Sequence, residues 1–353
     1  MMDKEFKMNP SIKFMIFLLI VILLIISFIT LQGMEKANDI NEVSHRDINL
    51  SMINYHILYN EKPKFIDMEQ FPKRIENIPY AKSNNERQKL DIIYPTIGKP
   101  PFKVIILFHG GGWVKGNKQS ASLSSQFLAL QQGYAIASIG YRLSDEAKWP
   151  AQLYDAKAAI RYIRANGDKY QLDVNRIVVW GNSAGGYLAE MLGATNGMKE
   201  MEDLTMGNPN SSSSVQGIVS WFGISDLTTL SDKGTKFANQ LMGFDVRKNH
   251  HKAKLASPLE YITSEFPPIL LVHGTNDQVV PFEQSIDMAR KINKITGKKQ
   301  AHLKIFKGAI HSDTVIKTVE NVADNLNFID KIMYPYGINP YRTSYYQEVK
   351  ITK

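Results

Sequence analysis

From Lys89 to Ile332 short apolar runs alternate with longer stretches in which apolar residues recur every three or four positions. Val104 to Phe108 is continuously apolar, the pattern of a strand covered on both faces. Further strands are predicted at Lys89–Tyr94, Tyr134–Ile139, Arg176–Trp180, Val215–Phe222, Pro268–His273 and His302–Phe306. Helices are predicted between them. They cover Ser120–Gln132 closed by Gly133, Pro150–Asn166 with proline near the first turn, Ala184–Ala194, Phe282–Thr296, and about Ser312 to Ile332. Strands alternating with helices imply an α/β fold with a mostly parallel central sheet and helices on both faces. Two stretches break the rhythm: the polar segment Gly197–Ser214, and the long strandless segment Asp226–Phe266. Such insertions are surface loops or, less often, lids over a site.

A different pattern stands near the N-terminus. Phe14 to Ile29 is apolar except for Ser27, and Ile12 and Leu31 extend the run. At about 1.5 Å per residue, roughly 18–20 residues nearly cross a hydrocarbon core of about 30 Å. The run is longer than a signal-peptide core, and no A-x-A pattern follows it, so an uncleaved anchor is favoured over a cleaved signal peptide. Lys4, Lys7 and Lys13 place the N-terminus in the cytoplasm and the remainder outside the cell membrane, or secreted if the segment is cleaved. The expected organisation is a cytoplasmic N-terminus (1–11), a signal-anchor or signal peptide (12–31), a stalk (32–80), the α/β domain (81–333) and a tyrosine-rich tail (334–353).

Composition narrows the chemistry. With 44% hydrophobic and 22% charged residues the chain is ordinarily globular. Its net charge of +8 is spread along the chain without a dense basic run, which argues against a nucleic-acid partner. The absence of cysteine excludes disulfides, thiolate metal sites and a cysteine nucleophile.

Residues 181–185 read Gly-Asn-Ser-Ala-Gly, directly after the strand Ile177–Trp180 and before a helix. This strand–turn–helix context is what a nucleophile elbow requires, with Ser183 projecting above the carboxyl edge of the sheet. Residues 109–113 read His-Gly-Gly-Gly-Trp, just after the strand Val104–Phe108. The backbone N–H groups of Gly111 and Gly112, with that of Ala184, are candidates for an oxyanion hole, because glycine lets the backbone approach a substrate unobstructed. No Walker pattern supports a phosphate loop.

A serine hydroxyl needs a base within hydrogen-bond reach. His311 follows the last strand by five residues and is expected to open the last helix. His302 begins that strand at the wrong end, His250 and His251 sit in the insertion, and His273 ends its own strand as a structural residue. Asp277 follows the strand Pro268–His273 and is the preferred acid to orient His311; Asp226, after Val215–Phe222, is the alternative. Asp155 lies within a helix and is expected to serve structure.

Taken together these residues resemble the esterase branch of the α/β-hydrolase superfamily, and within it the bacterial carboxylesterases of the BD-FAE-like group, related to feruloyl and acetyl esterases. Carrying the resemblance are Lys89-Leu-Asp, His109-Gly-Gly-Gly-Trp, Tyr141-Arg-Leu-Ser, Trp149-Pro-Ala-Gln-Leu-Tyr-Asp155, Gly181-Asn-Ser-Ala-Gly-Gly186, His273-Gly-Thr-Asn-Asp277 and His311. The resemblance implies the order Ser, Asp, His in the α/β-hydrolase fold. It also implies transfer of an acyl group from a small-molecule ester to water through a serine acyl-enzyme, without metal or cofactor. It leaves open an arylformamidase-like amidase. A peptidase of the prolyl-oligopeptidase type would need a preceding propeller, for which the stretch up to Lys89 is too short at about 40–50 residues per blade. An inactive, surface-tethered binding protein on a hydrolase scaffold is the reading from another class.

Overall fold

The computed structural model describes residues 64–342. One sheet of eight strands organises them: β1 (Arg74–Pro79), β2 (Lys89–Ile93), β3 (Phe102–Phe108), β4 (Ala135–Ile139), β5 (Leu172–Asn182), β6 (Gly217–Trp221), β7 (Ile269–Gly274) and β8 (Ala301–Phe306). Their order is β1-β2-β4-β3-β5-β6-β7-β8. The β1–β2 and β2–β4 pairings are antiparallel, and all pairings from β4 to β8 are parallel. Every residue of β4, β6 and β7 is buried, as both faces of a parallel sheet must be when crossover helices cover them. The edge strand β1 alternates buried or half-buried with exposed residues instead, and half of β8 is exposed.

Among the described residues six α-helices accompany the sheet: α1 (Ala151–Ala165), α2 (Ala184–Ala194), α3 (Asp232–Met242), α4 (His250–Lys254), α5 (Glu283–Thr296) and α6 (Val319–Met333). All eleven residues of α2 are buried, because it packs between the sheet and neighbouring elements. That explains its run of Ala, Gly and Leu with scarcely a charge.

Three expectations change. The boundary at 81 is too late: the compact unit begins at Pro63, and β1 lies wholly within the supposed stalk. A register shift between Ile75 and Ile78 breaks the alternation that would have marked β1 as a strand. Phe71, just before it, packs on Phe127 with ring centroids 5.2 Å apart. The boundary at 333 is too early, since Asn339 donates to Gln132 O and to Asp330 Oδ1, and the Tyr341 ring lies against Gly98 and Gly133. The helix expected over Ser120–Gln132 is present as a 3-10 helix, Ala121–Gln132, closed as expected by Gly133 at φ 75°. The last helix is split: a 3-10 turn at Thr314–Lys317 precedes α6, whose cap is Thr318. His311 therefore sits in a loop, not at a helix start.

The expected segments 1–11 and 12–31, most of 32–80 and the end of the tail lie outside the described residues. Among the described residues no helix is long and apolar enough to cross a membrane.

Candidate active site

At the carboxyl edge of β5 the chain turns sharply into α2. Ser183 forms the turn at φ 54° and ψ −117°, outside the conformations that side chains prefer. Such a residue costs on the order of 1–3 kcal/mol and persists only where its surroundings hold it. They do: Ser183 N donates to Trp221 O at 2.8 Å, and Ser183 O accepts from Tyr187 N at 2.9 Å. Asn182 is held by Gln126 Nε2 at 2.6 Å and itself donates to Ser122 O at 2.9 Å.

The structure brings Ser183, His311 and Asp277 together from three strand ends. His311 Nε2 lies 2.9 Å from Ser183 Oγ, and its Nδ1 lies 2.7 Å from Asp277 Oδ2. The other carboxylate oxygen accepts from Val279 N at 2.8 Å and Val280 N at 2.9 Å. Burial alone would raise the Asp277 pKa. The hydrogen bonds from His273 and His311, together with the Val280 amide, outweigh it and hold the carboxyl well below the usual carboxylate range. Asp277 is thus an anion in a buried place, and an imidazole proton is the natural partner for it. The Phe222 and His311 rings meet edge-on, with centroids 4.8 Å apart.

Asp226 is not part of this group. Its Oδ1 accepts from the amide and hydroxyl of Thr228, both at 2.7 Å, so it closes its own turn. Asp155 is buried and takes two-oxygen hydrogen bonds from Arg142, which anchors the loop after β4.

The loop His109–Trp113 leaves β3 directly beside the elbow. A Cβ on Gly110 would stand 2.8 Å from Asn182 O and 3.4 Å from Ser183 Cβ. Gly111 and Gly112 adopt φ of 119° and 62°, conformations that glycine tolerates at little cost. Their N–H groups, and that of Ala184 at the first position of α2, have no hydrogen-bond acceptor among the described residues. The loop is pinned from below. Tyr141 donates to His109 O at 2.7 Å and stacks on the His109 ring at 4.2 Å. Burial pushes the His109 pKa down to about 4, so the ring is neutral and donates through Nδ1 to Gly110 O at 2.7 Å.

The insertion forms a wall of the cleft above Ser183. Leu230 and Phe237 of the insertion line the cleft together with Ile224, Val279, Val280 and Gly112. The Phe237 ring, on α3, leaves no room for a side chain at Gly112: a Cβ there would stand 2.7 Å from it. Sequence patterning offered no signal for Phe237, whose place depends on how α3 folds back over the sheet.

Sequence reasoning also passed over Glu190. It is fully buried on α2 and faces no cation salt-bridge partner among the described residues; Ser220 Oγ donates to it at 2.6 Å and Ser225 Oγ at 2.7 Å. Burial pushes its pKa up to about 7. The folded state therefore keeps this proton at pH values where the unfolded chain has already lost it. Stability from this group is full below the unfolded pKa and falls as pH rises towards 7, by on the order of 3 kcal/mol. Melting curves between pH 5 and 8 are expected to show a loss with rising pH in the wild type that Glu190→Gln abolishes. Parallel curves for the two proteins would refute it.

The BD-FAE family model matches residues 90–292. Esterase LipC of Mycobacterium tuberculosis is 33% identical over 210 residues, which cover 58% of this chain and 52% of that protein. The chain spans about half the length of the curated relatives it matches. Among solved structures, a truncated carbohydrate esterase from gut microbiota superposes with a TM-score of 0.69 at 32% identity, covering 75% of this chain and 98% of the other. A bifunctional GH43-CE protein of Bacteroides eggerthii superposes at 0.66 with 34% identity, covering 72% of this chain and 34% of that one. The eight-stranded sheet is that of the α/β-hydrolase fold, and with more than half its length matched to the family model the chain belongs to the BD-FAE family.

Proposed function

We propose that this protein is a serine carboxylesterase that removes a short acyl group from a small alcohol. One observation carries the reading: a hydrogen-bonded line from Asp277 through His311 to the Ser183 hydroxyl, ending beside three unpaired amide N–H groups. Ser183 Oγ attacks the ester carbonyl while His311 Nε2 takes its proton. The amides of Gly111, Gly112 and Ala184 receive the developing oxyanion, and Asp277 remains ionised and stabilises the imidazolium. His311 then protonates the leaving alcohol, and later draws a proton from the water that hydrolyses the acyl-enzyme.

The narrow apolar wall of Ile224, Leu230 and Phe237 supports a short acyl group. The carbohydrate esterase among the similar structures supports a sugar hydroxyl as the alcohol. The apolar run at 12–31 supports tethering of the catalytic unit at the outer face of the cell membrane.

The test uses the full chain in detergent. A fluorophosphonate probe is expected to modify the peptide containing Ser183, and p-nitrophenyl acetate to be hydrolysed faster than the octanoate. A folded protein that neither takes up the probe nor cleaves any p-nitrophenyl ester would defeat the proposal.

A further inference from the structure

We propose that His273 is a positioning residue for Asp277 and sets how basic His311 is, by donating to the same carboxylate oxygen that His311 uses. The inference rests on the esterase reading above. His273 ends β7, four residues before Asp277, and is fully buried. Its Nε2 lies 3.1 Å from Asp277 Oδ2 and 3.0 Å from Val280 O. An ionised carboxylate and a carbonyl can only accept, so Nε2 must carry a proton, whichever charge the ring bears. The ring is held on its other side by Ser285, whose Oγ lies 2.7 Å from Nδ1. The donor is therefore fixed in direction by α5 and by the turn that follows Asp277.

The consequence concerns Oδ2. This oxygen receives two imidazole N–H groups, one from His273 and one from His311 at 2.7 Å. Charge drawn towards His273 is charge withheld from His311. The imidazolium of His311 therefore shares its partner oxygen rather than having it to itself. Among the described residues, few groups bear on this centre. Asp277 and Ser183 face His311; Asp277 and Ser285 face His273; and the buried carboxyl of Glu190 on α2 acts on His273 through space.

Losing the His273 donor is expected to do two things. Asp277 loses one of its holds, and a misplacement of about 1 Å can cost roughly 100-fold in turnover. The same loss makes Asp277 a stronger partner for the imidazolium, so the acid limb of kcat/KM moves up by about half to one pH unit. A residue that served packing alone would lower activity or melting temperature and leave that limb where it was.

Four proteins separate these outcomes: wild type, His273→Leu, His273→Gln and Ser285→Ala, each followed by its kcat/KM against pH on p-nitrophenyl acetate. His273→Leu is expected to lose 10–100-fold in kcat with the limb displaced upwards. His273→Gln keeps an N–H near the Nε2 position and should return the limb towards that of wild type. Ser285→Ala loosens the ring without touching Asp277 and should give a smaller displacement in the same direction. Should His273→Leu fail to fold, Ser285→Ala decides the matter: a limb that overlays wild type overturns the proposal. A wild-type protein without esterase activity or probe labelling would instead condemn the esterase reading itself.

Discussion

Ser183→Ala lowers kcat on p-nitrophenyl acetate by about 10⁴–10⁶-fold, and adding His311→Ala to it lowers kcat little further. The expectation follows from the 2.9 Å contact between His311 Nε2 and Ser183 Oγ. An imidazole placed there contributes by receiving the hydroxyl proton, so without the hydroxyl it has nothing to receive. Two residues that acted separately would instead multiply their losses. The residual rate should come from the amides of Gly111, Gly112 and Ala184, which neither substitution removes. KM should change little, because the apolar wall of Ile224, Leu230 and Phe237 is untouched. Stability should also change little: alanine at position 183 meets the same φ of 54° that serine already tolerates. The measurement is steady-state kinetics on the two single variants and the double. Losses that multiply, or a Ser183→Ala protein at wild-type rate, would dismantle the relay.

Much of this is legible in the amino-acid sequence itself. The parallel strands β3 to β7 each carry an apolar run, because burial on both faces demands it, and such runs are hard to misread. Ser183 could be read because the elbow needs glycine on both sides within five residues. The structure brings His311 and Asp277 to it as strand-end loops, which the alternation of elements already implied. What escaped was whatever depends on contacts distant in sequence or on broken periods. The register shift at Ile75–Ile78 concealed β1, and Thr318 divides a segment whose spacing reads as one helix. Phe237 joins the cleft only through the path of α3, and a local pattern carries no record of that path. His273 was read as structural. Its distance of four residues from Asp277 was visible, but only the turn through Val279 and Val280 directs both groups at one another.

The second large effect concerns the backbone rather than the chemistry, and it tests why the elbow is built from glycine. Gly185→Ala should lower the melting temperature by on the order of 10 °C, or prevent the folded protein from accumulating, although it adds a single methyl group. A Cβ at position 185 would stand 2.1 Å from Phe108 O and 2.7 Å from His109 O. At position 181 it would stand 2.0 Å from Gly185 O. These are backbone atoms, so no rotamer change relieves the overlap; β3 and α2 must separate. Phe108 and His109 lead directly into Gly111 and Gly112, and separation carries the amides proposed to receive the oxyanion away from Ser183. Any folded fraction of Gly185→Ala is therefore expected to lose about 100-fold in kcat from the altered distance alone. Gly337→Ala is the matched control. Its Cβ would meet nothing within 4 Å, and its backbone is not in the left-handed region, so stability and rate should both stay near wild type. If Gly185→Ala melts within about 2 °C of wild type and keeps full turnover, the close approach of β3 to α2 is wrong, and with it the placement of the oxyanion donors.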